Sequence, residues 1–473
     1  MSHICCEACL TDRYHRDLKL IQLIAALLLS GFLGHAAETA LDRYIKKPDS
    51  TYRYEVVTNI PCGGCTATVL DMKSQTWRKP AEIDRTVWQH WLTVIQPEKV
   101  SSNVALLFIT GGSNGGKPPA QANLMLASMA KEVGIVTVEL RMVPNQPITM
   151  AGETRQRSED SFIAYTWDKH LRGGDEEWPL RLPMTKAAVR AMDAVTDFCK
   201  SSKGGGVTVD RFVVAGGSKR GWTTWTTAAV DQRVIAIAPM VIDMLNVEKS
   251  FIHHWRVYGF WAPAVGDYVE MKLMDWMGSK ENAALMKIEE PYHYRDRLTL
   301  PKFIVNAAGD QFFLPDSSQF YFKDLKGEKL LRYVPNTDHS LRNSDAIMSL
   351  TAWLQSIVSG KPRPRYSWKI SKDGVIRVQA VDPPTDVKLW QATNPSARDF
   401  RLEKIGPAYK STVLTPEKGE YAGRVSKPES GFTAYFVELT YPGPGKYPIK
   451  VTTDVKVTPD VYPFPQPKLV PPR

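Results

Sequence analysis

The alternation of short apolar runs with glycine-rich turns and helical patterns constrains the fold of this chain more than any other feature. Val104–Ile109 is apolar throughout; a glycine-rich loop and a helical pattern over residues 121–131 follow it, and the next apolar run covers residues 134–140. Further apolar runs cover residues 211–215, 234–239, 302–306 and 329–334. Strands buried on both faces read as continuous apolar runs, and alternation of strands with helices is typical of a parallel sheet. We therefore predict an α/β fold with a mostly parallel sheet and helices on both faces.

Other regions surround these units. Alternating polar and apolar positions predict an antiparallel entry ribbon over residues 52–59, 66–73 and 87–95. Residues 142–183 and 243–300 interrupt the alternation and are rich in aromatic and charged residues, which indicates two insertions. After Gly360, the segment Lys-Pro-Arg-Pro-Arg has the composition of a linker. We predict one large domain over residues 38–360 and a C-terminal β-sandwich-like module over residues 361–473.

Residues 1–37 have the pattern of a signal peptide. Basic residues precede an apolar run over residues 20–33, which is too short for a bilayer that requires about 20 apolar residues. Small residues follow this run, and we expect cleavage near Ala36 or Ala37. The mature chain is then periplasmic or secreted and has no stable membrane span. An uncleaved N-terminal anchor is the alternative.

The cysteine spacing favours a structural disulfide. Cys62 and Cys65 belong to the segment Pro-Cys-Gly-Gly-Cys, and a strand pattern follows them. A redox Cys-x-x-Cys pair normally precedes a helix, so we expect a disulfide that closes a turn in an exported protein. Two cysteines without a second ligand pair cannot close a zinc site. No other motif indicates a metal ion or an organic cofactor.

Composition and charge exclude several classes of protein. The 473 residues are 43% hydrophobic and 23% charged, which excludes a disordered chain and a coiled coil. The net charge is +10, but the basic residues are interleaved with acidic ones and form no basic stripe. We therefore expect a solvated basic surface and no nucleic-acid partner.

Ser218 is the candidate nucleophile. The apolar run over residues 211–215 continues into Gly-Gly-Ser-Lys-Arg-Gly, and a helical pattern begins at Trp222. A serine on a tight strand-to-helix turn is exposed above the sheet, beside the backbone donors of the helix N-terminus. Arg220 stands where the Gly-x-Ser-x-Gly motif has its second glycine, and that glycine has moved to position 221.

An acid and a base follow Ser218 in the order that a hydrolase of this kind requires. The acid and then the base are expected at the carboxyl ends of later strands. Asp310 follows the run over residues 302–306, and His339 follows the run over residues 329–334. His339 is also the only histidine after Asp310. We predict a Ser218–His339–Asp310 catalytic triad.

Three other aspartates, Asp243, Asp316 and Asp338, compete with Asp310 for the role of the orienting acid. Asp338 is adjacent in sequence to His339, which rarely permits the side-on hydrogen bond that this role requires. Asp243, which follows the run over residues 234–239, is the serious alternative. For Asp316 we expect a different role, as the N-cap of a helix that begins at Ser317.

The glycine-rich loop after Val104–Ile109 completes the predicted site. It reads Thr-Gly-Gly-Ser-Asn-Gly-Gly and lacks the spacing of a phosphate-binding loop. An oxyanion hole needs two backbone donors near the developing negative charge. We predict that the N–H of Lys219 is one donor and that the loop provides the other, with Gly111, Gly112 and Ser113 as candidates. Asn114 is a candidate for contact with the substrate.

Three motifs resemble those of the PhoPQ-activated pathogenicity-related family. In chain order they are Gly-Gly-Ser-Lys-Arg-Gly-Trp, Gly-Asp-Gln-Phe-Phe-Leu-Pro-Asp-Ser-Ser and Pro-Asn-Thr-Asp-His-Ser. The resemblance covers nearly all of the mature chain. It implies an α/β-hydrolase domain, export from a Gram-negative cell, and a link to virulence and to resistance against cationic antimicrobial peptides. The arrangement is also similar to that of dipeptidyl peptidases of the prolyl oligopeptidase group, while glucuronoyl esterases share the basic residue after the serine.

We expect a serine hydrolase of the aminopeptidase or dipeptidyl peptidase type. Glu176 and Glu177 lie in the acid-rich first insertion and are candidates to hold the ammonium group of a peptide, with a solvated acidic loop as the alternative. Trp178 and Trp255 are further candidates for substrate binding. There are two alternative functions. The first is an esterase that acts on a carbohydrate or cell-wall ester, and the second is a non-catalytic protein that sequesters peptides. The oligomeric state stays open.

Overall fold

The computed structural model describes residues 38–472. The predicted signal peptide over residues 1–37 therefore lies outside the described residues. Within residues 38–472, no helix combines the length and the apolar character that crossing a membrane requires.

A nine-stranded sheet forms the centre of the molecule. Its strands have the spatial order β1-β2-β3-β5-β4-β8-β9-β10-β11. Strands β1, β2, β3 and β5 pair in antiparallel fashion, and the pairs from β5 to β11 are parallel. This confirms the predicted α/β-hydrolase fold and its antiparallel entry ribbon. The bounds are β1 (Arg53–Pro61), β2 (Cys65–Thr76), β3 (Val87–Pro97), β4 (Val104–Ile109), β5 (Val136–Leu140), β6 (Ile148–Thr149), β7 (Gln156–Arg157), β8 (Arg211–Gly217), β9 (Val234–Met240), β10 (Lys302–Ala307) and β11 (Lys329–Val334).

Helices pack on both faces of the sheet, and each face has its own hydrophobic core. Successive residues of a strand point to opposite faces and therefore belong to different cores. Val214 of β8 packs in one core and Val213 in the other, as the two-residue period of a strand requires. Helices α4 and α5 contribute to the first core, while α2 and α9 contribute to the second. The helices are α1 (Ala40–Lys46), α2 (Leu124–Val133), α3 (Glu159–Leu171), α4 (Arg181–Lys200), α5 (Lys219–Val230), α6 (Val247–Tyr258), α7 (Gly266–Glu270), α8 (Lys280–Glu289), α9 (Ala346–Ser359) and α10 (Leu402–Ile405).

Helix α4 begins earlier than the sequence suggested. The sequence assigns residues 142–183, Pro183 included, to the first insertion. In the structure the helix begins at Arg181, so that Pro183 occupies its first turn. Proline is tolerated there because the first N–H groups of a helix have no intrahelical partner.

The C-terminal strands form two sheets that pack on the large domain. One sheet has the order β12-β13-β16, and the other has the order β15-β14-β17-β18, with β19 also paired to β17. Phe436 of β17 is buried and lies 6.3 Å from Tyr333 of β11 and 5.7 Å from Tyr409, measured between ring centroids. The module therefore shares a core with the large domain. The bounds are β12 (Tyr366–Ile370), β13 (Ile376–Ala380), β14 (Asp386–Asn394), β15 (Lys410–Val413), β16 (Tyr421–Gly423), β17 (Phe432–Tyr441), β18 (Ile449–Thr452) and β19 (Lys456–Thr458).

The same module supports the two loops that follow β10 and β11. The Leu402 N–H donates to the Gly309 carbonyl at 2.9 Å. The Asn336 side chain donates to the Tyr409 carbonyl at 3.0 Å and accepts from the Tyr409 N–H at 2.9 Å. These hydrogen bonds hold the loops on which Asp310 and His339 lie.

We predict that Phe436→Ala destabilises the whole molecule rather than the module alone. Truncating a fully buried phenylalanine removes apolar contacts and leaves a cavity, which costs about 3–5 kcal/mol. Urea unfolding followed by tryptophan fluorescence and by circular dichroism measures this loss, and we expect one coincident transition. Val413→Ala is the control, since Val413 is 68% exposed and its truncation changes little. Two separate transitions, with only one of them shifted, would contradict the shared core.

Candidate active site

Ser218 occupies a strained turn between β8 and α5. Its φ of 56° lies in the left-handed region, which costs a non-glycine residue about 1–3 kcal/mol. Gly216 and Gly221 flank Ser218 because β8 and α5 approach each other closely at this turn. A methyl group at Gly216 would lie 2.9 Å from the Arg220 carbonyl oxygen, and one at Gly221 would lie 2.9 Å from the carbonyl oxygens of Gly216 and Met240. Gly221 thus permits the close approach of α5 to β8. Position 220 does not need to be glycine and is occupied by Arg220.

The structure brings His339 and Asp310 together. His339 Nδ1 lies 2.8 Å from Asp310 Oδ2. Asp310 Oδ1 accepts a hydrogen bond of 2.8 Å from the N–H of Phe312, which fixes the carboxylate. His339 Nε2 is buried and has no hydrogen-bond partner among the described residues. An imidazole held in this way through Nδ1 has Nε2 available to exchange a proton with a reacting group.

An apolar cavity lies beside Ser218, and two of its lining phenylalanines pack against His339. Phe312 and Phe313 line the cavity together with Ser218, and their ring centroids lie 4.4 Å and 5.8 Å from that of His339. The cavity has a volume of about 30 Å³. Both insertions contribute to the walls. The other lining residues are Asp160, Ile163, Trp167, Arg181, Lys219, Trp222, Ile242, Met244, Phe251, Val265 and Tyr268.

Asp243, the alternative acid, does not contact His339. Its carboxyl group is buried and accepts hydrogen bonds from the hydroxyls of Tyr321, at 2.7 Å, and Tyr333, at 2.5 Å. Burial raises the Asp243 pKa well above its ordinary value, although both tyrosine hydrogen bonds oppose the shift. Asp243 is therefore a structural group beneath the site.

The expectation that Asp316 caps a helix is wrong. Asp316 precedes a short 3-10 turn, and its side chain makes no capping hydrogen bond. It lies 2.8 Å from His253 Nε2 and accepts a hydrogen bond of 2.7 Å from Arg398 of the C-terminal module. Burial raises the Asp316 pKa, but the charges of His253 and Arg398 outweigh this effect and lower it. Long-range pairing, which the local sequence does not reveal, replaces the local cap.

The two basic residues after Ser218 pair with acidic residues of the first insertion. Arg220 donates from Nη2 to Glu159 at 2.6 Å and from Nε to the Val143 carbonyl at 2.6 Å. Lys219 Nζ lies 2.9 Å from Glu159 and 3.1 Å from Asp160. The two positive and two negative charges balance beside the cavity. Nothing in the local sequence distinguishes Glu159 and Asp160 from the other acids of the insertion, so their pairing is evident only in the structure.

The predicted oxyanion loop lies against this charge cluster. A methyl group at Gly111 would lie 2.7 Å from Arg220 Nη2, so only glycine leaves room for the guanidinium. Gly112 has a φ of 140°, and a methyl group there would lie 3.1 Å from the side chain of Met142. Ser113 is exposed. The amide nitrogen of the Asn114 side chain donates to the Pro147 carbonyl at 3.2 Å, which orders the far end of the loop.

The structure does not bring the other predicted binding residues to the cavity. Glu176 pairs with Arg43 at 2.6 Å, and Glu177 pairs with Lys47 at 2.7 Å. Trp178 is buried beneath the guanidinium of Arg78 and contacts Trp77, and Trp255 is half-buried against Trp261. None of the four belongs to the described lining of the cavity beside Ser218.

The cysteines of the Pro-Cys-Gly-Gly-Cys segment lie far from these residues in the fold. A disulfide joins Cys62 and Cys65 across the turn between β1 and β2. Across residues 38–472, no group of three or more His, Cys, Asp or Glu side chains is arranged to hold a metal ion.

We predict that Glu159→Gln destabilises the protein in a pH-dependent way. Burial raises the Glu159 pKa, but the hydrogen bond from Arg220 and the charge of Lys219 outweigh it and lower the pKa from 4.5 to about 2. The carboxylate therefore stabilises the fold fully above pH 4.5, and this contribution is lost as the pH falls through 2. Because the side chain is 41% exposed, solvent screening limits the expected loss at pH 7 to about 1–2 kcal/mol.

Urea unfolding at pH 7 and at pH 3 measures the difference between the wild type and Glu159→Gln. The matched control is Glu176→Gln, which removes a carboxylate from an ion pair on the surface and should cost less. An equal loss in both variants, or a loss in Glu159→Gln that does not shrink at pH 3, would contradict the proposed balance of charges.

Comparison with known proteins identifies the family. The family model described as PhoPQ-activated pathogenicity-related protein matches residues 41–401, so the chain belongs to this family and the resemblance seen in its motifs is confirmed. The chain is also similar to autocrine proliferation repressor protein A of Dictyostelium discoideum. The two are 35% identical over 468 residues, which cover 93% of this chain and 94% of that protein.

Several solved structures are similar at low sequence identity. Acetyl xylan esterase 1 from Thermoanaerobacterium is 14% identical with a TM-score of 0.46, and the match covers 67% of this chain and 91% of that chain. An S-formylglutathione hydrolase from Agrobacterium tumefaciens is 14% identical with a TM-score of 0.39, covering 65% and 98%. An acylaminoacyl peptidase from Pyrococcus horikoshii is 12% identical with a TM-score of 0.38, covering 65% and 56%.

Proposed function

We propose that this member of the PhoPQ-activated pathogenicity-related family is a serine hydrolase in which Ser218, His339 and Asp310 form the catalytic triad. The observation that supports this best is the partly buried contact of 2.8 Å between His339 and Asp310, next to a cavity that Ser218 lines. The strained φ of Ser218 adds to it, because backbone strain of this kind clusters at functional sites.

The reaction follows from the positions of these groups. His339 Nε2 accepts the proton of the Ser218 hydroxyl as Oγ attacks the acyl carbon of the substrate, and a tetrahedral intermediate forms. Asp310 holds the imidazole through Nδ1 and stabilises its positive charge. His339 then returns the proton to the leaving group, which departs and leaves an acyl-enzyme. A water molecule repeats the sequence, releases the acid and regenerates Ser218.

The oxyanion of the intermediate needs backbone donors. The N–H of Lys219 belongs to the first turn of α5, where N–H groups have no intrahelical partner and the helix dipole favours negative charge. The loop over Gly111, Gly112 and Ser113 provides the second donor. Arg220 acts as a positioning residue, because its guanidinium contacts both this loop and Glu159.

The charge balance around the cavity favours an ester of a small acyl group over a peptide with a free amino terminus. Glu176 and Glu177, the candidates for an ammonium site, pair with Arg43 and Lys47 instead. At the cavity itself, Lys219 and Arg220 neutralise Glu159 and Asp160. The walls are otherwise mainly apolar. The amine-recognising peptidase remains the second candidate, since an ammonium group that displaced Lys219 would meet Asp160.

We predict ester hydrolysis that depends on all three triad residues. Purified protein comprising residues 38–473 is assayed on nitrophenyl esters of short acids, on aminoacyl and dipeptidyl anilides and on a glucuronoyl ester. Ser218→Ala should lower kcat by about 10³-fold or more, and Asp310→Asn and His339→Ala should also lower it strongly, because the three groups act as a unit.

Ser396→Ala is the matched control, because Ser396 is exposed in the C-terminal module, and its kinetics should equal those of the wild type. Turnover of the anilides that is lost in Ser218→Ala would favour the peptidase. Wild-type turnover that persists in Ser218→Ala would refute the triad.

We also propose that the protein is exported to the periplasm or secreted. The N-terminal pattern of residues 1–37 supports export, and the disulfide between Cys62 and Cys65 fits an oxidising compartment. We also propose a link to virulence and to resistance against cationic peptides. This link comes from the family resemblance and not from the geometry of the candidate active site.

We predict that the mature chain begins near residue 38. N-terminal sequencing of protein from the periplasm or culture medium of an expressing Gram-negative host, together with its intact mass, measures the cleavage position. Replacing Ala36 and Ala37 with bulky residues should block cleavage, because signal peptidase requires small residues there. A full-length chain that remains in the membrane fraction would instead support the uncleaved anchor.

A further inference from the structure

The wall of the cavity beside Ser218 contains a buried arginine that is only partly paired. Arg181 begins α4, and its side chain is 0% exposed. Its Nη1 donates to the Lys219 carbonyl at 2.6 Å and to the Thr223 hydroxyl at 2.9 Å. Its Nε donates to Glu289 at 3.3 Å. Nη2 is buried and has no hydrogen-bond partner among the described residues.

A second buried donor in the same wall lacks a partner. Trp167 of α3 lines the cavity and is 4% exposed. Its ring packs 6.1 Å from that of Trp222 and 5.6 Å from that of Tyr268, and its Nε1 has no hydrogen-bond partner in the described part of the chain. Buried N–H groups are rarely left unpaired, since water no longer solvates them. Both donors belong to residues that line one cavity, so this wall is a candidate site for a ligand group that accepts hydrogen bonds.

The other polar groups of the wall pair with one another. Asp160 accepts a hydrogen bond of 2.9 Å from the Tyr268 hydroxyl and lies 3.1 Å from Lys219 Nζ. Glu289 already balances the charge of Arg181. A carboxylate entering the cavity would therefore add an unbalanced charge near Asp160, whereas a neutral oxygen would not.

We propose that Arg181 Nη2 and Trp167 Nε1 form a binding site for a neutral oxygen acceptor in the acyl part of the substrate. A carbonyl, ether or hydroxyl oxygen has two lone pairs and suits two N–H donors. The substrate class is thus an ester whose short acyl chain contains such an oxygen, and a purely hydrocarbon chain leaves both donors unpaired. This inference rests on the proposed function, because it takes Ser218 as the group that attacks the acyl carbon.

Matched pairs of nitrophenyl esters test the inference. In each pair an ether oxygen replaces one methylene group: methoxyacetate against butanoate, 3-methoxypropanoate against pentanoate, and 4-methoxybutanoate against hexanoate. Each kcat/KM is divided by the rate of the same ester with hydroxide, which removes differences in chemical reactivity. We expect at least a tenfold preference for the ether at one chain length, because a site built to pair with an oxygen rejects the analogue that lacks it.

Two variants connect this preference to the two donors. Trp167→Phe removes Nε1–H while it keeps an aromatic ring, and Arg181→Lys removes the free edge of the guanidinium while it keeps the charge beside Glu289. Each should lower the ether-to-alkyl ratio towards one. Trp276→Phe is the control, since Trp276 is also buried with an unpaired Nε1 but does not belong to the described lining. It should leave the ratio unchanged.

The outcomes separate this inference from the proposed function. Ester turnover with equal rates for ether and alkyl chains at every length would contradict the inference alone and would mean that only water meets these donors. A preference that survives in both variants would also overturn it. Absence of turnover on every ester would contradict the ester hydrolase proposal and this inference with it. If Arg181→Lys does not fold, the wild-type ratio and Trp167→Phe still decide the result.

Discussion

The parallel strands β5, β4, β8, β9, β10 and β11 end at the same edge of the sheet, and the candidate site depends on this alignment. The loops that follow β4, β8, β10 and β11 contain the glycine-rich segment, Ser218, Asp310 and His339 respectively. Loops that are far apart in the sequence thus follow strands that end at one edge, without any local signal that connects them. The tight turn at Ser218 adds strain at this edge, and the packing of β8 against α5 maintains it.

The elements added to the sheet restrict what the site can accept. Glu159 and Asp160 of helix α3 pair with Lys219 and Arg220, which neutralises two acids that would otherwise attract a cation. The second insertion adds aromatic and aliphatic walls. The C-terminal module holds the loops of Asp310 and His339 through Leu402 and Tyr409. The site is therefore a joint product of the sheet, both insertions and the module.

Much of this architecture could be predicted from the sequence. The bounds of β4 and β11 agree with the predicted runs, because buried parallel strands leave a mostly apolar pattern, which Arg332 interrupts in β11. The pairing of Asp310 with His339 was predicted from chain order, since few aspartates and a single histidine follow the right strands. Arg220 also departs visibly from the usual glycine, although its contacts with Glu159 and the glycine-rich loop do not show in the sequence.

The failures of sequence reasoning have a common physical cause. Glu176, Glu177 and Asp316 are acids whose partners come from distant segments, namely Arg43, Lys47 and Arg398. Local composition shows that such residues are charged but not which cation they meet. The same holds for Arg181 and Trp167, whose unpaired donors become evident only when the cavity walls are assembled.

The most direct test of the central claim is covalent labelling of the nucleophile. The protein is treated with a fluorophosphonate, digested and analysed by mass spectrometry to locate the adduct. A serine activated by His339 and Asp310 should give a single adduct on Ser218, formed far more slowly in Asp310→Asn and absent in Ser218→Ala. An unmodified Ser218 in folded protein, or an adduct on another residue, would contradict the assignment of this site as the catalytic centre.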